Sequence, residues 1–411
     1  MIPRAKHNRI MVLTGEPSGD FHAAALIMAM QKTEPNLEIS GIGGPCMEAA
    51  NVDIFYPIDK LSAMGITEVL FQFKYIKQAY ESFKSRLRTH PPDLIVLIDY
   101  PGFNLKAAQY AKRHYTIPIL YYITPKVWAW KESRLQQIKL YVDHAALIFP
   151  FEKKIYQRAG IPSTYVGNPL MDDYPDHLAK PFLRPISKGL SSKGLSARPG
   201  GKNTLCSNEM DCNAPVIGLL PGSRKAEITN LLGIMIKTAL KIHEQKKNAK
   251  FLISAASPLH LQRINQILSH YKQTELFEVI LGRPLEIFKR SDLLVAASGT
   301  VTLEAALCCL PTIIVYKMSS VSYTFAKFLI KVKYAGLANL IAGQTLMPEL
   351  LQNLATPEKI SQEAFSMLKN LREHENQLLM VRKLLGAPGA PKRTARIALD
   401  LAKFASLNKP D

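Results

Sequence analysis

Short runs of apolar residues alternate along the chain with longer segments in which apolar residues recur at helical spacing. Two such helical segments cover residues 71–87 and 105–113. The predicted strands of the first half are residues 10–14, 94–98, 117–121, 146–149 and 164–166. Because strands and helices take turns in this way, the pattern predicts an α/β domain with a parallel sheet.

The alternation stops after Pro169 and resumes near residue 214. The stretch between residues 178 and 213 is rich in Ser, Gly, Pro and Lys, which predicts a long, partly mobile linker. A second series follows, with a helix at about residues 227–245 and strands at 216–220, 251–254, 277–280, 293–296 and 312–316. A charged helical region comes last, and it closes with an apolar-striped helix from about residue 394 to 407.

These segments predict an α/β protein with two Rossmann-like parallel-sheet domains that face a central cleft. The predicted divisions are a first domain, a linker, a second domain and C-terminal helices, at residues 1–177, 178–213, 214–356 and 357–411. Open α/β sheets bind ligands outside the carboxyl ends of their strands. We therefore expect the chemistry in the turns that lead from strand to helix.

Composition and charge narrow the possible classes of protein. A hydrophobic fraction of 47% in 411 residues excludes a disordered chain and a small disulfide scaffold. With 52 Lys and Arg against 33 Asp and Glu, the net charge is +19. Such a charge suits an anionic partner, and a nucleic-acid-binding protein is one alternative, although the sequence contains no recognised binding module.

The cysteines and the apolar segments indicate a cytoplasmic protein that does not cross a membrane. The five cysteines contain no C-x-x-C pair, which predicts reduced thiols and no zinc site. The apolar run at residues 10–13 is too short for a signal peptide. The longest apolar stretch, residues 293–315, is interrupted by Glu304 and Pro311, which disfavour a membrane-spanning helix.

The first candidate turn follows the first predicted strand. Residues 15–20 read GEPSGD and include Glu16, Ser18 and Asp20. Glycines allow a tight turn, and the helix that follows offers backbone N–H groups to an anion or a sugar hydroxyl. The alternative is that Ser18 or Asp20 only caps the helix.

Asp99 follows the strand at residues 94–98 and begins the turn DYPGFN. A carboxylate at the carboxyl end of a strand, beside a stiff Tyr-Pro turn, is well placed to accept a proton from a substrate hydroxyl. Asp99 is therefore the candidate general base. The alternative is a turn-forming aspartate that bonds its own backbone.

Two turns in the second series have the character of phosphate sites. Ser223 and Arg224 end the sequence LLPGSR before a helix, where backbone amides, the helix dipole and a guanidinium suit a diphosphate. The spacing is not that of a P-loop. The second turn contains Ser298, Gly299 and Thr300, and Glu304 follows one helical turn later, where its carboxylate could bind ribose hydroxyls or simply face solvent. No Asp-x-Asp occurs, so no metal site and no cofactor is expected.

Taken in order, these motifs closely resemble the lipid-A-disaccharide synthase family. The resemblance covers almost the whole chain apart from the linker and the extreme C-terminus. The matching blocks are residues 15–20 (GEPSGD), 64–70 (MGITEVL), 99–104 (DYPGFN), 125–130 (PKVWAW), 149–152 (FPFE), 219–224 (LLPGSR), 298–304 (SGTVTLE), 339–343 (NLIAG) and 348–351 (PELL).

The resemblance implies a two-domain glycosyltransferase of the GT-B type that works without a metal. Such enzymes join UDP-2,3-diacylglucosamine to 2,3-diacylglucosamine 1-phosphate, releasing UDP and forming the β-1′,6-linked disaccharide of lipid A. Carried over by position, Asp99 matches the proposed base, Arg224 and Asn339 match the donor side, and Glu16 and Ser18 match the first glycine turn. A ribose role for Glu304 is implied by GT-B enzymes generally.

The chain departs from the family pattern at four positions. Asn168 stands where histidine is usual, Ala338 where proline is usual, Gln344 where arginine is common and Gly102 where aspartate is frequent. The first departure removes any role for an imidazole, and the next two affect the surroundings of Asn339. The candidate base and Arg224 are retained.

Acylated substrates prefer a bilayer, so the resemblance implies work at the cytoplasmic face of the inner membrane. The segment at residues 61–73 has one charged residue, Glu68, which suits an apolar patch dipping into lipid or, alternatively, a buried amphipathic helix. The candidate membrane contacts are Met64, Ile66, Val69, Leu70 and Phe71. Four lysines, at positions 317, 327, 331 and 333, could meet phosphate groups or form a solvated face.

The remaining alternatives concern the reaction and the assembly. Another UDP-sugar enzyme of the same two-domain type, such as a 2-epimerase or a different glycolipid transferase, would have similar turns. The resemblance also implies a possible homodimer with exchanged C-terminal parts. The sequence itself does not determine whether the closing helix packs on its own first domain.

Overall fold

The computed structural model describes residues 9–62, 69–128, 133–179, 214–317 and 333–407. The chain divides into two compact units. Within the described residues, the first unit contains residues 9–173 and 385–407, and the second contains 174–179, 214–317 and 333–384. The predicted linker at residues 178–213 lies almost entirely outside the described residues.

The first unit is built on a parallel sheet. Its strands are β1 (Arg9–Leu13), β2 (Glu38–Gly43), β3 (Asp53–Pro57), β4 (Leu94–Ile98), β5 (Ile119–Tyr122), β6 (His144–Leu147) and β7 (Ser163–Tyr165). Its helices are α1 (Pro17–Thr33), α2 (Pro45–Ala49), α3 (Asp59–Ser62), α4 (Val69–Thr89), α5 (Pro101–His114), α6 (Ser133–Tyr141), α7 (Glu152–Arg158) and α8 (Leu170–Asp173). The strand order is β3-β2-β1-β4-β5-β6-β7.

The second unit contains another parallel sheet. Its strands are β8 (Val216–Leu220), β9 (Lys250–Ala255), β10 (Phe277–Leu281), β11 (Leu293–Ala297), β12 (Thr312–Tyr316) and β13 (Glu349–Leu351). Its helices are α9 (Lys225–Gln245), α10 (Pro258–Leu268), α11 (Leu285–Arg290), α12 (Thr300–Leu307), α13 (Leu337–Ala342), α14 (Pro357–Lys369) and α15 (Leu371–Leu385). The strand order is β10-β9-β8-β11-β12-β13.

The two sheets share one topology, and it explains where ligands are expected. In each unit the first strand lies in the middle, with the second strand on one side and the fourth on the other. The direction of winding reverses at β1/β4 and at β8/β11, and open α/β sheets bind ligands at such reversals. Strands β4 and β11 are buried along their whole length, as expected for parallel strands covered on both faces.

Three strands and one helix start differ from the sequence prediction. The sequence did not predict strands β2, β3 and β13: β2 contains two glycines, β3 is only partly buried, and β13 has three residues. The final helix, α16 (Ala390–Leu407), begins four residues before the predicted position. Pro391 belongs to its first turn, where the missing N–H costs nothing.

The C-terminal segment returns to the first unit. Helix α16 packs on α1 and β4, and its alanines at 395, 398 and 402 are buried. In the first turn of this helix, the Arg393 guanidinium donates to the carbonyls of Val166 (2.6 Å), Ala387 (2.9 Å) and Pro388 (2.9 Å). These contacts attach the turn before α16 to the turn after β7.

Among the helices that the structure describes, none has both the length and the apolar character required to cross a membrane.

Candidate active site

Asp99 lies directly after β4 in a turn of unusual backbone conformation. Asp99 and Tyr100 have φ angles of 47° and 44°, in the left-handed region that residues with a Cβ rarely adopt. Asn104 donates from Nδ2 to the carbonyls of Ile98 (3.1 Å) and Asp99 (2.7 Å). The Tyr121 hydroxyl donates to the same Asp99 carbonyl at 2.8 Å. Such strain costs about 1–3 kcal/mol per residue and is concentrated at functional sites.

The surroundings of Asp99 adjust its basicity. Burial raises the pKa of the Asp99 carboxyl above its ordinary value. The Tyr100 N–H, which donates to this carboxylate, and the positive charges of Lys126 and Arg134 lower that pKa and oppose the effect of burial. Because a raised pKa makes a carboxylate a better proton acceptor, the arrangement suits a general base.

The first glycine turn lies against the Asp99 turn. A Cβ on Gly15 would overlap the ring of Tyr100, so a larger residue at position 15 would displace this ring. Glu16 and Ser18 are exposed at the start of α1, and no side chain of the described residues caps this helix start. The two turns therefore form one surface at the carboxyl edge of the first sheet.

Asp20, the third candidate in this turn, faces the protein interior. Its carboxylate accepts hydrogen bonds from the backbone N–H groups of Gly44 (2.7 Å), Cys46 (2.9 Å) and Met47 (3.2 Å) at the start of α2. Asp20 is 2% exposed. This geometry gives Asp20 the role of connecting α1 to α2, and it does not present the carboxylate to a ligand.

Glu152 is a buried acid that the sequence analysis did not select. It follows β6 and is 1% exposed, with Oε1 accepting from Trp128 Nε1 at 3.1 Å and Oε2 accepting from the Phe149 N–H at 3.0 Å. Burial raises the pKa of Glu152 to about 7, and the hydrogen bonds and Lys126 oppose this rise. The sequence did contain a signal for this residue, a glutamate that follows a strand and two phenylalanines. Lys126 influences both this carboxyl and Asp99, so both acids belong to the same edge of the sheet.

The turn after β8 presents a cation rather than open amides. Glu227 Oε2 accepts from the backbone N–H groups of Ser223 (3.0 Å) and Arg224 (3.2 Å). A diphosphate would have to displace this carboxylate to reach these amides, whereas the sequence predicted that the amides themselves were available. The Arg224 guanidinium is exposed and lies 3.4 Å from Glu227 Oε1. Such exposed pairs contribute little, so Arg224 can turn toward an anion at small cost.

The turn after β11 leaves its helix start open. Gly299 and Thr300 are exposed, and no side chain of the described residues caps the start of α12. This start therefore offers backbone N–H groups and the positive end of the helix dipole to an anion. Ser298 Oγ donates instead to the Ala335 carbonyl at 3.2 Å. Glu304, on the same helix, is half-buried and accepts from the Tyr174 hydroxyl at 2.6 Å.

Asn339 is fully buried and satisfied by its own unit. Its Oδ1 accepts from the N–H groups of Leu346 (2.8 Å) and Met347 (2.9 Å). Its Nδ2 donates to the Met347 carbonyl (2.7 Å) and to Glu349 Oε1 (2.8 Å). The Glu349 carboxylate also accepts from the N–H groups before α13. Asn339 therefore positions the loop that leads into β13.

The departure at Asn168 is accommodated without an imidazole. Asn168 is 2% exposed, its Oδ1 accepts from the Leu170 N–H at 3.0 Å, and its Nδ2 lies 3.4 Å from the Ile148 carbonyl. The asparagine thus forms local hydrogen bonds at the turn after β7.

The predicted membrane contacts fall mostly outside what the structure describes. Met64 and Ile66 lie outside the described residues, and the side chains of Val69, Leu70 and Phe71, at the start of α4, are outside them as well. Of the four lysines, Lys317 and Lys333 are described and exposed. The apolar patch therefore stays a prediction.

Within the described part of the chain, no group of three or more His, Cys, Asp or Glu residues lies close enough together to hold a metal ion.

The fold defines the class of the protein. The chain resembles MurG of Acinetobacter baumannii with a TM-score of 0.56 at 15% identity, over 96% of this chain and 99% of that one. It also resembles a UDP-GlcNAc 2-epimerase from Neisseria meningitidis, solved with UDP-GlcNAc, with a TM-score of 0.59 at 12% identity, over 96% and 100%. Two parallel α/β units of this kind form the GT-B architecture.

The sequence comparisons then give the family. The lipid-A-disaccharide synthetase model matches residues 10–185 and 197–398, and the chain belongs to this family. A lipid-A-disaccharide synthase from Coxiella burnetii is 37% identical over 362 residues, which are 88% of this chain and 89% of that protein. The protein is therefore an enzyme, a glycosyltransferase, and the expected resemblance is confirmed.

Proposed function

We propose that this enzyme joins UDP-2,3-diacylglucosamine to 2,3-diacylglucosamine 1-phosphate with inversion at the anomeric carbon. The products are UDP and the β-1′,6-linked lipid A disaccharide 1-phosphate. Membership of the family supports the choice of substrates. The observation that carries the mechanism is Asp99, a half-buried carboxylate with a raised pKa at the carboxyl end of β4.

The proposed reaction is a single displacement. The 6-hydroxyl oxygen of the acceptor attacks the anomeric carbon from the face opposite the UDP group, and its proton passes to the Asp99 carboxylate. The bond between the anomeric carbon and the diphosphate oxygen breaks, and its electron pair leaves with UDP. An aspartate with a raised pKa takes the proton more readily, and a positioned base of this kind contributes about 10²–10⁴ to a rate.

Charge on the departing diphosphate is stabilised by the second unit in this proposal. Arg224 supplies an exposed guanidinium, and Gly299 and Thr300 supply the open N–H groups at the start of α12. Glu304 accepts hydrogen bonds from the ribose hydroxyls. Ser223 and Ser298 belong to the same turns, and Asn339 acts by holding the loop before β13.

On the acceptor side, Glu16 and Ser18 are proposed to bind polar groups of the acylated glucosamine phosphate. Both are exposed in the turn that lies against the Asp99 turn. No cofactor is required, and the +19 charge is assigned to anionic lipid and substrate phosphates, with no role in nucleic-acid binding. The proposal also includes a homodimer, which the family resemblance implies.

The decisive experiment measures UDP release from UDP-2,3-diacylglucosamine with and without the acylated glucosamine 1-phosphate. Release that depends on this acceptor is expected. Conversion of the UDP-sugar without any acceptor would instead indicate a 2-epimerase, the activity named for the Neisseria neighbour. Absence of turnover, together with salt-dependent retention on DNA that UDP does not reduce, would indicate a nucleic-acid-binding protein.

We also propose that the enzyme works peripherally at the cytoplasmic face of the inner membrane. Replacing Met64, Ile66 and Leu70 by serine should lower sedimentation with anionic phospholipid vesicles at least tenfold, because each side chain would contribute about 1.5–3 kcal/mol when buried in lipid. Circular dichroism should show a folded variant. A variant that no longer folds would show instead that these side chains form part of the core.

A further inference from the structure

Tyr174 connects the start of the second unit to the helix that carries Glu304. Tyr174 is the first residue of that unit and is 8% exposed. Its hydroxyl donates to Glu304 Oε2 at 2.6 Å, and its ring lies 6.4 Å from the ring of Phe288. A hydroxyl that donates to a carboxylate at this distance forms a short, charge-assisted hydrogen bond.

A second contact holds the same helix from the same stretch of chain. Arg382 is 6% exposed and donates from Nη1 to the Leu307 carbonyl, the last residue of α12, at 2.5 Å. Its Nε and Nη2 donate to Asp176 Oδ1 at 3.1 and 2.6 Å. Residues 174–176 are therefore tied to α12 at two points, one directly at Glu304 and one through Arg382.

The direct contact has a consequence for ligand binding. A glutamate side chain loses up to about 2 kcal/mol of conformational entropy when it is immobilised. A hydroxyl that already fixes one carboxylate oxygen removes part of this cost before a ligand arrives. Each carboxylate oxygen can accept more than one hydrogen bond, so the Tyr174 contact is compatible with donation from a diol.

We propose that Tyr174 is a positioning residue that fixes the Glu304 carboxylate to receive the paired ribose hydroxyls of the nucleotide. This inference rests on the proposed function, since it takes Glu304 as the ribose contact. Tyr174 acts through Glu304 and touches neither the reacting atoms nor the diphosphate. The role is therefore recognition of the sugar of the nucleotide, distinct from proton transfer.

The test compares dissociation constants for UDP and 2′-deoxyuridine diphosphate by calorimetry in the full-length enzyme and in Tyr174→Phe. The wild-type enzyme should prefer UDP about tenfold. Tyr174→Phe should weaken UDP about fivefold to tenfold and leave the deoxy ligand almost unchanged, so that the preference disappears. In turnover, KM for the donor should rise while kcat stays within about twofold. A residue that only stabilised the fold would weaken both ligands equally.

A double-mutant cycle keeps the proposal testable if the single variant is less stable. When Glu304 is replaced by alanine, adding Tyr174→Phe should change UDP affinity by less than twofold, because Tyr174 has nothing left to position. The matched control is Tyr165→Phe, which removes a hydroxyl that donates to the Leu385 carbonyl at 2.7 Å in the first unit. This control should retain the full preference for UDP.

The outcomes separate the two proposals. A wild-type enzyme that does not bind UDP would overturn the proposed function. If the wild type binds UDP and prefers it over the deoxy ligand but Tyr174→Phe retains that preference, Tyr174 does not position Glu304 and this inference is wrong. An additive loss in the Glu304→Ala background would overturn it as well.

Discussion

The two units share one sheet topology but differ at the carboxyl edges of their sheets. In the first unit the turn after β4 is strained, with Asp99 half-buried in the left-handed region, and Glu152 on the same edge is buried. In the second unit Arg224, Gly299 and Thr300 reach solvent, and the helix start at Thr300 is open, although Glu227 occupies the backbone amides of the turn after β8.

The proposed function accounts for this contrast, because it assigns a different task to each unit. A general base works better when its surroundings raise its pKa, and burial is one way to raise the pKa of a carboxyl. A diphosphate must enter and leave, so it needs exposed cations and helix starts that are not already occupied. Under this proposal one fold supports both tasks through differences in its turns.

The largest expected effect is at Asp99. Asp99→Asn should lower kcat by about 10²–10⁴, because the amide cannot accept the proton, while UDP binding should be retained. The measurement is acceptor-dependent UDP release beside calorimetry with UDP. The matched control is Asp53→Asn, an exposed aspartate paired with Arg86 at the start of β3, which should keep full activity. Full activity in Asp99→Asn would remove the proposed base.

The next effect is a dependence of the free energy of unfolding on pH, caused by the buried Glu152. Since folding raises the pKa of Glu152 from 4.5 to about 7, the folded state binds more protons between these values. The stabilisation from the protonated form is complete below about pH 4.5, and the free energy of unfolding should fall by about 3 kcal/mol as pH rises to 7. Glu152→Gln should remove this slope in urea unfolding.

The control for Glu152 is Glu38→Gln, an exposed glutamate at the start of β2. It should show the same dependence of unfolding free energy on pH as the wild type. If Glu152→Gln also retains the wild-type slope, Glu152 is not the titrating group.

The smallest of these effects is expected at Arg224. Arg224→Ala should weaken UDP about tenfold to a hundredfold, since a hydrogen bond to a charged group contributes about 1.5–3 kcal/mol. Arg224→Lys should give an intermediate affinity, because lysine keeps the charge without the bidentate geometry. Arg290→Ala, which removes an exposed arginine paired with Glu278, serves as the control. Unchanged UDP affinity in Arg224→Ala would contradict the proposal that Arg224 binds the diphosphate.

The sequence was sufficient to locate the turns, because each turn follows an apolar run that is visible within a few neighbouring residues. The runs at β4, β8 and β11 are continuous in sequence, so Asp99, Arg224 and Ser298 could be assigned to strand ends. Strand β2 gave no such signal, because its glycines and serine weaken the apolar pattern.

The actual partners of candidate residues could not be found in this way. The Asp20 carboxylate accepts hydrogen bonds from backbone N–H groups 24 to 27 residues away. No local sequence pattern identifies those N–H groups as its partners. Asn339 likewise bonds the backbone of Leu346 and Met347, in the loop that leads into β13, and its sequence surroundings do not indicate these bonds. Tyr174 and Glu304 are 130 residues apart, so their contact is purely tertiary.

The return of α16 to α1 sets an order for events during synthesis. Domains generally fold from the N-terminus as the chain leaves the ribosome. Here the face of α1 that α16 covers stays uncovered until residues beyond 390 have been translated, after the whole second unit. The unit that begins first is therefore completed last, and a chain truncated within the second half would lack the helix that covers this face of α1.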